Sequence, residues 1–294
     1  MEKFGKSQSV ERREDDRFLT GLGQYVDDTT PEGALHGYVF RSPYAHGIIT
    51  SLDVKAAQAA AGVQLVLTAK TLETAGVHSK MEASLLKNQD GQMAPNTDRF
   101  LLAKDKVRFV GEPVAMVFAQ SLGQARAAAE MILLEIDDLP VHMDLQTGGV
   151  PLHEVAPDNV AFDWAMGDLA QMEAAKSKAA HVLSFEIADN RIICNSMEPR
   201  GCWANMEEGR LHLCVNGQGV WPQKTQLANM FDLPETEVRV TNPDVGGGFG
   251  MKGMSYPEYF LTAQATRMLD RPVRWMSDRS EAMLSDNAGR DLTS

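Results

Sequence analysis

Val245-Gly246-Gly247-Gly248-Phe249-Gly250-Met251-Lys252-Gly253 is the stretch from which the rest of the chain can be read. A short β-branched run at residues 238–241 leads into it. A segment suited to a helix, residues 257–269 with Pro257 near its start, follows. Residues without Cβ let the backbone approach a ligand closely and adopt positive φ. Successive free N–H groups in such a loop can cradle an anion, helped by the dipole of the next helix. A phosphate-bearing cofactor suits it; tight packing of strand on helix accounts for the glycines equally. Spacing rejects two common phosphate loops. A dinucleotide fold needs GxGxxG early in a βαβ unit, with an acidic residue about 20 positions on. Here the glycines are consecutive and late in the chain. A P-loop needs GxxxxGK followed by Ser or Thr, whereas Lys252 is preceded by Met251 and followed by Gly253.

Outward from the loop, residues 181–187, 210–215 and 272–276 read as strands, and residues 222–231 as a helix with Pro222 in its first turn. Residues 148–158 carry Gly, Pro and Asp and read as a linker. Before it, residues 35–40, 47–52, 63–68, 107–110, 114–119 and 132–136 read as strands. Residues 55–61 and 122–131 read as helices, the second with Ser121 as its N-cap. Residues 73–97 lack periodicity and read as a long loop. The fold class expected is α+β. The division expected is a polar, extended arm over 1–20, a first domain over 21–147, a linker over 148–160 and a second region over 161–294.

With 28 Lys and Arg against 40 Asp and Glu, the net charge is −12, which argues against a nucleic-acid partner. No apolar run approaches the roughly 18 residues that span a bilayer. The first 17 residues lack the apolar core of a signal peptide, so a cytoplasmic location is expected. Cys194, Cys202 and Cys214 form no CxxC pair and are read as three reduced, mostly buried thiols. The seven histidines show no HxH or HxxxH pattern, and no metal ligand set is expected in this chain.

Gly246-Gly247-Gly248-Phe249-Gly250-Met251-Lys252 resembles the glycine-phenylalanine motif of the molybdopterin-binding large subunits in the xanthine dehydrogenase/aldehyde oxidase/carbon-monoxide dehydrogenase family. Asn216-Gly217-Gln218-Gly219-Val220-Trp221-Pro222 resembles the family's upstream glutamine segment, and Met197-Glu198-Pro199-Arg200-Gly201 its MEPR turn. Arg271-Pro272-Val273-Arg274-Trp275 and Asp278-Arg279-Ser280-Glu281 resemble the strand and turn that follow the loop. Gly21-Leu22-Gly23-Gln24-Tyr25-Val26-Asp27-Asp28, Arg41-Ser42-Pro43-Tyr44-Ala45-His46 and Val110-Gly111-Glu112-Pro113 resemble the family's N-terminal α/β hammerhead domain. The resemblance runs from about Gly5 to Leu292.

The resemblance implies a hammerhead domain followed by the first part of a molybdopterin-cofactor-binding domain. It implies a molybdenum hydroxylase that oxidises an aldehyde or N-heterocycle with water as the oxygen source. The implied cofactor is molybdenum-molybdopterin in its cytosine dinucleotide form, with [2Fe-2S] clusters and FAD on partner subunits. The implied partners are the C-terminal part of the large subunit, an iron–sulfur subunit, an FAD subunit and a small-molecule substrate. Gln218 matches the glutamine whose amide faces the metal centre, a non-titrating donor where negative charge grows. Gly247, Gly248, Phe249 and Gly250 match the cofactor-contacting backbone. The catalytic base is expected after Ser294, so the chain alone is expected to be inactive. Gly253 stands where purine-active members place a glutamate, which disfavours a purine substrate. Glu258 and Glu198 are read as structural carboxylates. Two other readings stand beside this one: a truncated, non-catalytic remnant that keeps the fold without metal, and an unrelated enzyme using the glycine loop for a nucleotide phosphate.

Overall fold

The computed structural model describes residues 11–294 apart from positions 82, 84, 144 and 288. The first ten residues of the expected arm, Gly5 among them, lie outside the described residues. The described elements run α1 (Asp15–Leu19), β1 (Leu35–Arg41), β2 (Gly47–Asp53), α2 (Lys55–Ala59), β3 (Val63–Thr68), α3 (Ala69–Thr74), β4 (Lys106–Val107), β5 (Pro113–Ala119), α4 (Leu122–Ala129) and β6 (Leu133–Asp138). They continue with α5 (Leu169–Lys178), β7 (Ala188–Asp189), β8 (Gly201–Glu207), β9 (Arg210–Val215), α6 (Trp221–Phe231), β10 (Val238–Thr241), α7 (Pro257–Leu269), β11 (Val273–Met276), α8 (Arg279–Ser285) and β12 (Leu292–Thr293).

The main sheet has seven strands in the order β10-β9-β8-β11-β1-β5-β3. β5 is wholly buried because both of its faces are covered. Its alternation sorts the side chains: Met116 and Phe118 join a core with Tyr259, Phe260 and Ala263 of α7, while Ala115, Val117 and Ala119 meet Ala125, Ala128 and Ala129 of α4. Alanines on α4 let helix and sheet approach closely. α7 is buried along Pro257–Thr266, with Glu258, Thr262, Gln264 and Thr266 taken inside beside its apolar residues. The parallel pairing of β1 with β11, Leu35 opposite Val273 and His36 opposite Arg274, joins the strands of the first half to those of the second. A smaller sheet, β4-β2-β6, packs through Val107, Ile49 and Ile136.

Ser121 caps α4 as expected, accepting from the Gln124 N–H. Other expectations are corrected. The arm contains a helical turn, α1, which Arg17 ties to Asp244. The expected loop 73–97 begins inside α3, whose Thr68 and Thr71 form a reciprocal capping box. The strand expected at 107–110 ends at Val107. No strand forms over 181–187; β7 is confined to Ala188–Asp189. β8, α5 and α8 were not expected, although Asp168 and Asp278 cap the two helices.

Candidate functional site

β9, α6 and β10 make a βαβ unit in which β10 lies parallel to β9. The segments that leave the two strands therefore emerge at one end of the sheet. That end is where open α/β sheets offer a crevice to ligands. β8 is antiparallel to β9 and to β11, so the turn entering β8 and the turn leaving β11 arrive at the same end. Four segments converge there: the turn at 195–200, the glutamine segment 216–219, the glycine loop 246–250 and the turn at 277–279.

Contacts between these segments fix the glycine loop. Glu198 Oε2 accepts from Gly246 N at 2.8 Å and from Lys252 Nζ at 3.0 Å, while Glu198 N donates to Gly246 O at 3.1 Å. Glu198 Oε1 accepts from Val26 N at 3.4 Å, which brings the segment before β1 to the same carboxylate. Lys252 is buried, and burial pulls its pKa below the usual lysine range against the opposing pull of Glu198. Arg279 grips the neighbouring turn through Asn195 Oδ1 and the carbonyls of Ser196 and Met197 at 2.7–2.8 Å. Asn216, wholly buried, bridges Gly201 N at 2.9 Å and Pro199 O at 2.7 Å.

Gln218 sits directly against the loop. Its Oε1 accepts from Gly250 N at 2.8 Å, and its own N–H donates to Lys252 O at 3.1 Å. With Oε1 engaged, the amide Nε2 has no hydrogen-bond partner among the described residues. A Cβ at Gly248 would stand 2.6 Å from Gln218 Cδ, so this close approach requires glycine. Gly247 has φ +96°, and a Cβ there would stand 2.9 Å from the Phe249 ring. A Cβ at Gly250, also at positive φ, would project into open space. Phe249 is itself left-handed, with φ 54°, and 71% exposed. The loop thus presents strained, uncovered backbone and an unpaired amide on an open face. α7 does not start directly from the glycines; a 3-10 turn at Met251–Gly253 intervenes, so the loop's own N–H groups are what it offers a ligand.

The two structural carboxylates differ. Glu198 is the anchor of the loop, a role that spacing in the sequence does not reveal. Glu258 instead sits buried between two arginines. Its Oε1 accepts from Arg41 Nη2 at 2.6 Å and its Oε2 from Arg200 Nη1 at 3.0 Å. Burial works against its charged form, yet Arg200 and Arg41 outweigh burial and hold the carboxyl at about 2. Arg200 also bonds Asp286 Oδ1 at 2.5 Å and stacks 3.6 Å over the Tyr256 ring. Arg41 comes from β1, so this network joins the two halves of the chain. Among the described residues, no group of three His, Cys, Asp or Glu is placed to hold a metal ion.

Comparison with known proteins accounts for this assembly. Residues 20–140 match the aldehyde oxidase and xanthine dehydrogenase a/b hammerhead domain, and residues 152–294 match the molybdopterin cofactor-binding domain. The chain belongs to the aldehyde oxidase and xanthine dehydrogenase family. Within the family it is 38% identical to the nicotine 6-hydroxylase large subunit of Paenarthrobacter nicotinovorans, over 94% of this chain and 34% of that protein. It is 32% identical to the carbon monoxide dehydrogenase large chain of Hydrogenophaga pseudoflava, over 95% of this chain and 36% of that one. The crystal structure of quinoline 2-oxidoreductase from Pseudomonas putida 86 superimposes with a TM-score of 0.78 at 35% identity, covering 97% of this chain and 36% of that chain. The family member described here thus spans about a third of the length of these relatives. No helix among its described residues is long and apolar enough to cross a membrane.

Proposed function

We propose that this chain supplies the glycine-loop side of the cofactor site in a molybdenum hydroxylase that oxidises an aldehyde or N-heterocycle with water as the oxygen source. The observation that carries the reading is the Gln218–Gly250 contact. It fixes an amide with its donor nitrogen unpaired beside a glycine whose missing Cβ leaves open space. These residues fit a bulky, anionic group approaching the backbone closely. When bound, a molybdenum-molybdopterin group supplies the redox centre, for which the protein furnishes position and electrostatics. Gly247, Gly248, Phe249 and Gly250 would hold it by backbone contact. Gln218 Nε2 would donate where negative charge develops, without adding a titrating group.

The finer parts of the reading follow the same lines. The cofactor is the cytosine dinucleotide form. Two relatives are named for nicotine and quinoline, which favours an N-heterocycle as substrate. Gly253, in place of a glutamate, disfavours a purine. Electrons leave through [2Fe-2S] clusters on an iron–sulfur subunit to an FAD subunit, because this chain has no cysteine pattern for clusters. The domain division is 1–20, 21–147, 148–160 and 161–294, and the location is cytoplasmic. The catalytic base comes from the C-terminal part of the large subunit, so residues 1–294 alone do not turn over. An open loop cannot exclude water or fix the ligands of a metal.

The test expresses residues 1–294 with the cofactor-assembly machinery, with and without the remaining large subunit and the iron–sulfur subunit. Molybdenum, pterin and dye reduction with aldehydes and N-heterocycles are measured. Metal, pterin and turnover in the assembled complex alone support the reading. An assembled complex without molybdenum or pterin establishes the non-catalytic remnant instead. Turnover by the lone chain overturns the shared-site argument.

A further inference from the structure

β10 stands at one end of the strand order of the main sheet. Between it and the first turns of α6 lies a cavity of about 410 Å³, a volume that suits a small molecule. Three of its eight lining residues are cationic, Arg210, Lys224 and Arg239, and none is acidic. In a chain of net charge −12 this is a local reversal of sign.

The three cations are only partly neutralised. Arg239 Nη1 meets Glu207 Oε2 at 2.9 Å and Arg210 Nη2 meets Glu208 Oε2 at 3.1 Å, which leaves each guanidinium further N–H donors. Lys224 pairs with no carboxylate among the described residues. Its ammonium lies 5.4 Å from the centroid of the Trp221 ring. Trp221 is 68% exposed, a large apolar ring left in water beside these charges. Basic side chains next to an edge strand deter pairing with another chain, and that role accounts for the arginines. It does not call for an indole, nor for the apolar wall that Val220 and Val240 add to the same cavity.

We infer that this cavity is a binding site for an aromatic carboxylate. The arginines and Lys224 supply charge-assisted hydrogen bonds to the carboxylate, and a guanidinium can grip both of its oxygens. Trp221 offers its face to the aromatic ring, and the valines cover the ring's edge. Each half of the ligand meets the half of the site that suits it. A neutral aromatic compound leaves the cations unused, and an aliphatic carboxylate leaves the indole uncovered. None of the lining residues is among those assigned to the cofactor, so the inference stands or falls apart from the molybdenum reading.

The probe is 2-naphthoate, followed by ligand-observed NMR on the 294-residue chain and on the full-length large subunit. The uncharged control is 2-naphthylmethanol and the non-aromatic control is cyclohexanecarboxylate. One naphthoate per chain should bind with a dissociation constant below about 1 mM, and each control at least about fivefold more weakly. Lys224→Gln and Trp221→Ala should each weaken naphthoate binding by at least about fivefold, whereas Lys224→Arg should keep it within about twofold. Circular dichroism reports that the variants are folded, and the Lys224 pair decides the matter where Trp221→Ala is not. Equal binding of 2-naphthylmethanol, or unchanged binding in folded Lys224→Gln, overturns the inference by reducing the site to an apolar patch. Equal binding of cyclohexanecarboxylate overturns it by reducing the site to a patch for any anion. Failure of the full-length subunit to bind naphthoate overturns it too, since other residues then fill the cavity.

Discussion

Lys252 Nζ lies 3.0 Å from Glu198 Oε2, with the lysine side chain wholly buried and the glutamate side chain 16% exposed. The pair is asymmetric: the carboxylate has water and two backbone N–H groups, whereas the ammonium has the carboxylate alone. It anchors the glycine loop from behind and leaves the exposed face clear.

The asymmetry predicts unequal costs. Glu198→Gln strands a buried cation and lowers stability by about 3 kcal/mol. Lys252→Met costs less, because the carboxylate keeps its solvent and its backbone donors. Lys252 holds its proton less tightly folded than unfolded, so the unfolded chain binds more protons between the depressed value and the ordinary 10.5. The part of stability due to Lys252 therefore rises with pH across that window. The penalty of Glu198→Gln shrinks as pH is raised toward 10.5, and in the Lys252→Met background this dependence disappears. Urea midpoints between pH 7 and 10 measure both effects.

Glu258 predicts an acid dependence of the opposite origin. Its carboxyl titrates at about 2 when folded against an ordinary 4.5. Its contribution is complete above the ordinary value and is lost as pH falls through the folded one. Glu258→Gln leaves Arg41 and Arg200 without their shared partner and costs about 3–5 kcal/mol at neutral pH. It also removes this part of the acid loss between roughly pH 4.5 and 2. Unfolding curves at pH 7, 4 and 3 compare the two proteins; equal stability at pH 7 would sink the argument.

Gly247→Val should abolish cofactor loading while the chain stays folded. Its φ of +96° is unfavourable for a β-branched residue, and its Cβ would meet the Phe249 ring at 2.9 Å and Ser196 Cβ at 3.3 Å. Circular dichroism reports the fold and metal analysis the loading. Normal molybdenum in the folded, assembled variant would contradict the proposed role of the loop.

Gln218→Ala removes the unpaired donor and the acceptor that fixes Gly250. In the assembled enzyme, cofactor should be retained and turnover should fall by roughly 10²-fold, the usual scale for one preorganised donor. Gln218→Glu keeps the acceptor but offers no donor when ionised; it should restore the loop without restoring the rate. An unchanged rate in either variant would rule out the role.

The three thiols should react in two classes. Cys194 is half-buried and donates to Phe249 O at 3.7 Å, whereas burial pushes the pKa of Cys202 and Cys214 up. One thiol per chain should react with an aromatic disulfide reagent under native conditions and three after unfolding. Bound cofactor should slow the first. Rapid native labelling of Cys202 would show that its core is open.

Much of the fold was legible because it is written locally. Ser121 before the alanines of α4 marks a helix start, and Pro222 and Pro257 fall in the first turns of α6 and α7. β5 is an unbroken apolar run, the mark of a strand covered on both faces. β8 was not legible: Gly201-Cys202-Trp203-Ala204-Asn205 has no clear alternation and is a strand because β9 and β11 flank it. Residues 181–187 fail in the other direction: the local alternation is there, but among the described residues only Ile187 of the stretch is paired across a ladder, with Ser294.

The sequence by itself located most strands of the first domain, helices α4, α6 and α7, and the glycine loop, because these depend on steric preferences and side-chain types within a few residues of one another. Gln218 entered as a candidate only through the family resemblance, since it lies 32 positions from Gly250. Only the tertiary structure decided that Glu198 supports Gly246 and Lys252, that Gln218 turns its oxygen to Gly250, and that Arg41 and Arg200 share Glu258. Each of these joins groups from 32 to 217 positions apart. Such contacts follow from the parallel course of β9 and β10 and the docking of β1 on β11, which no local pattern in the chain specifies.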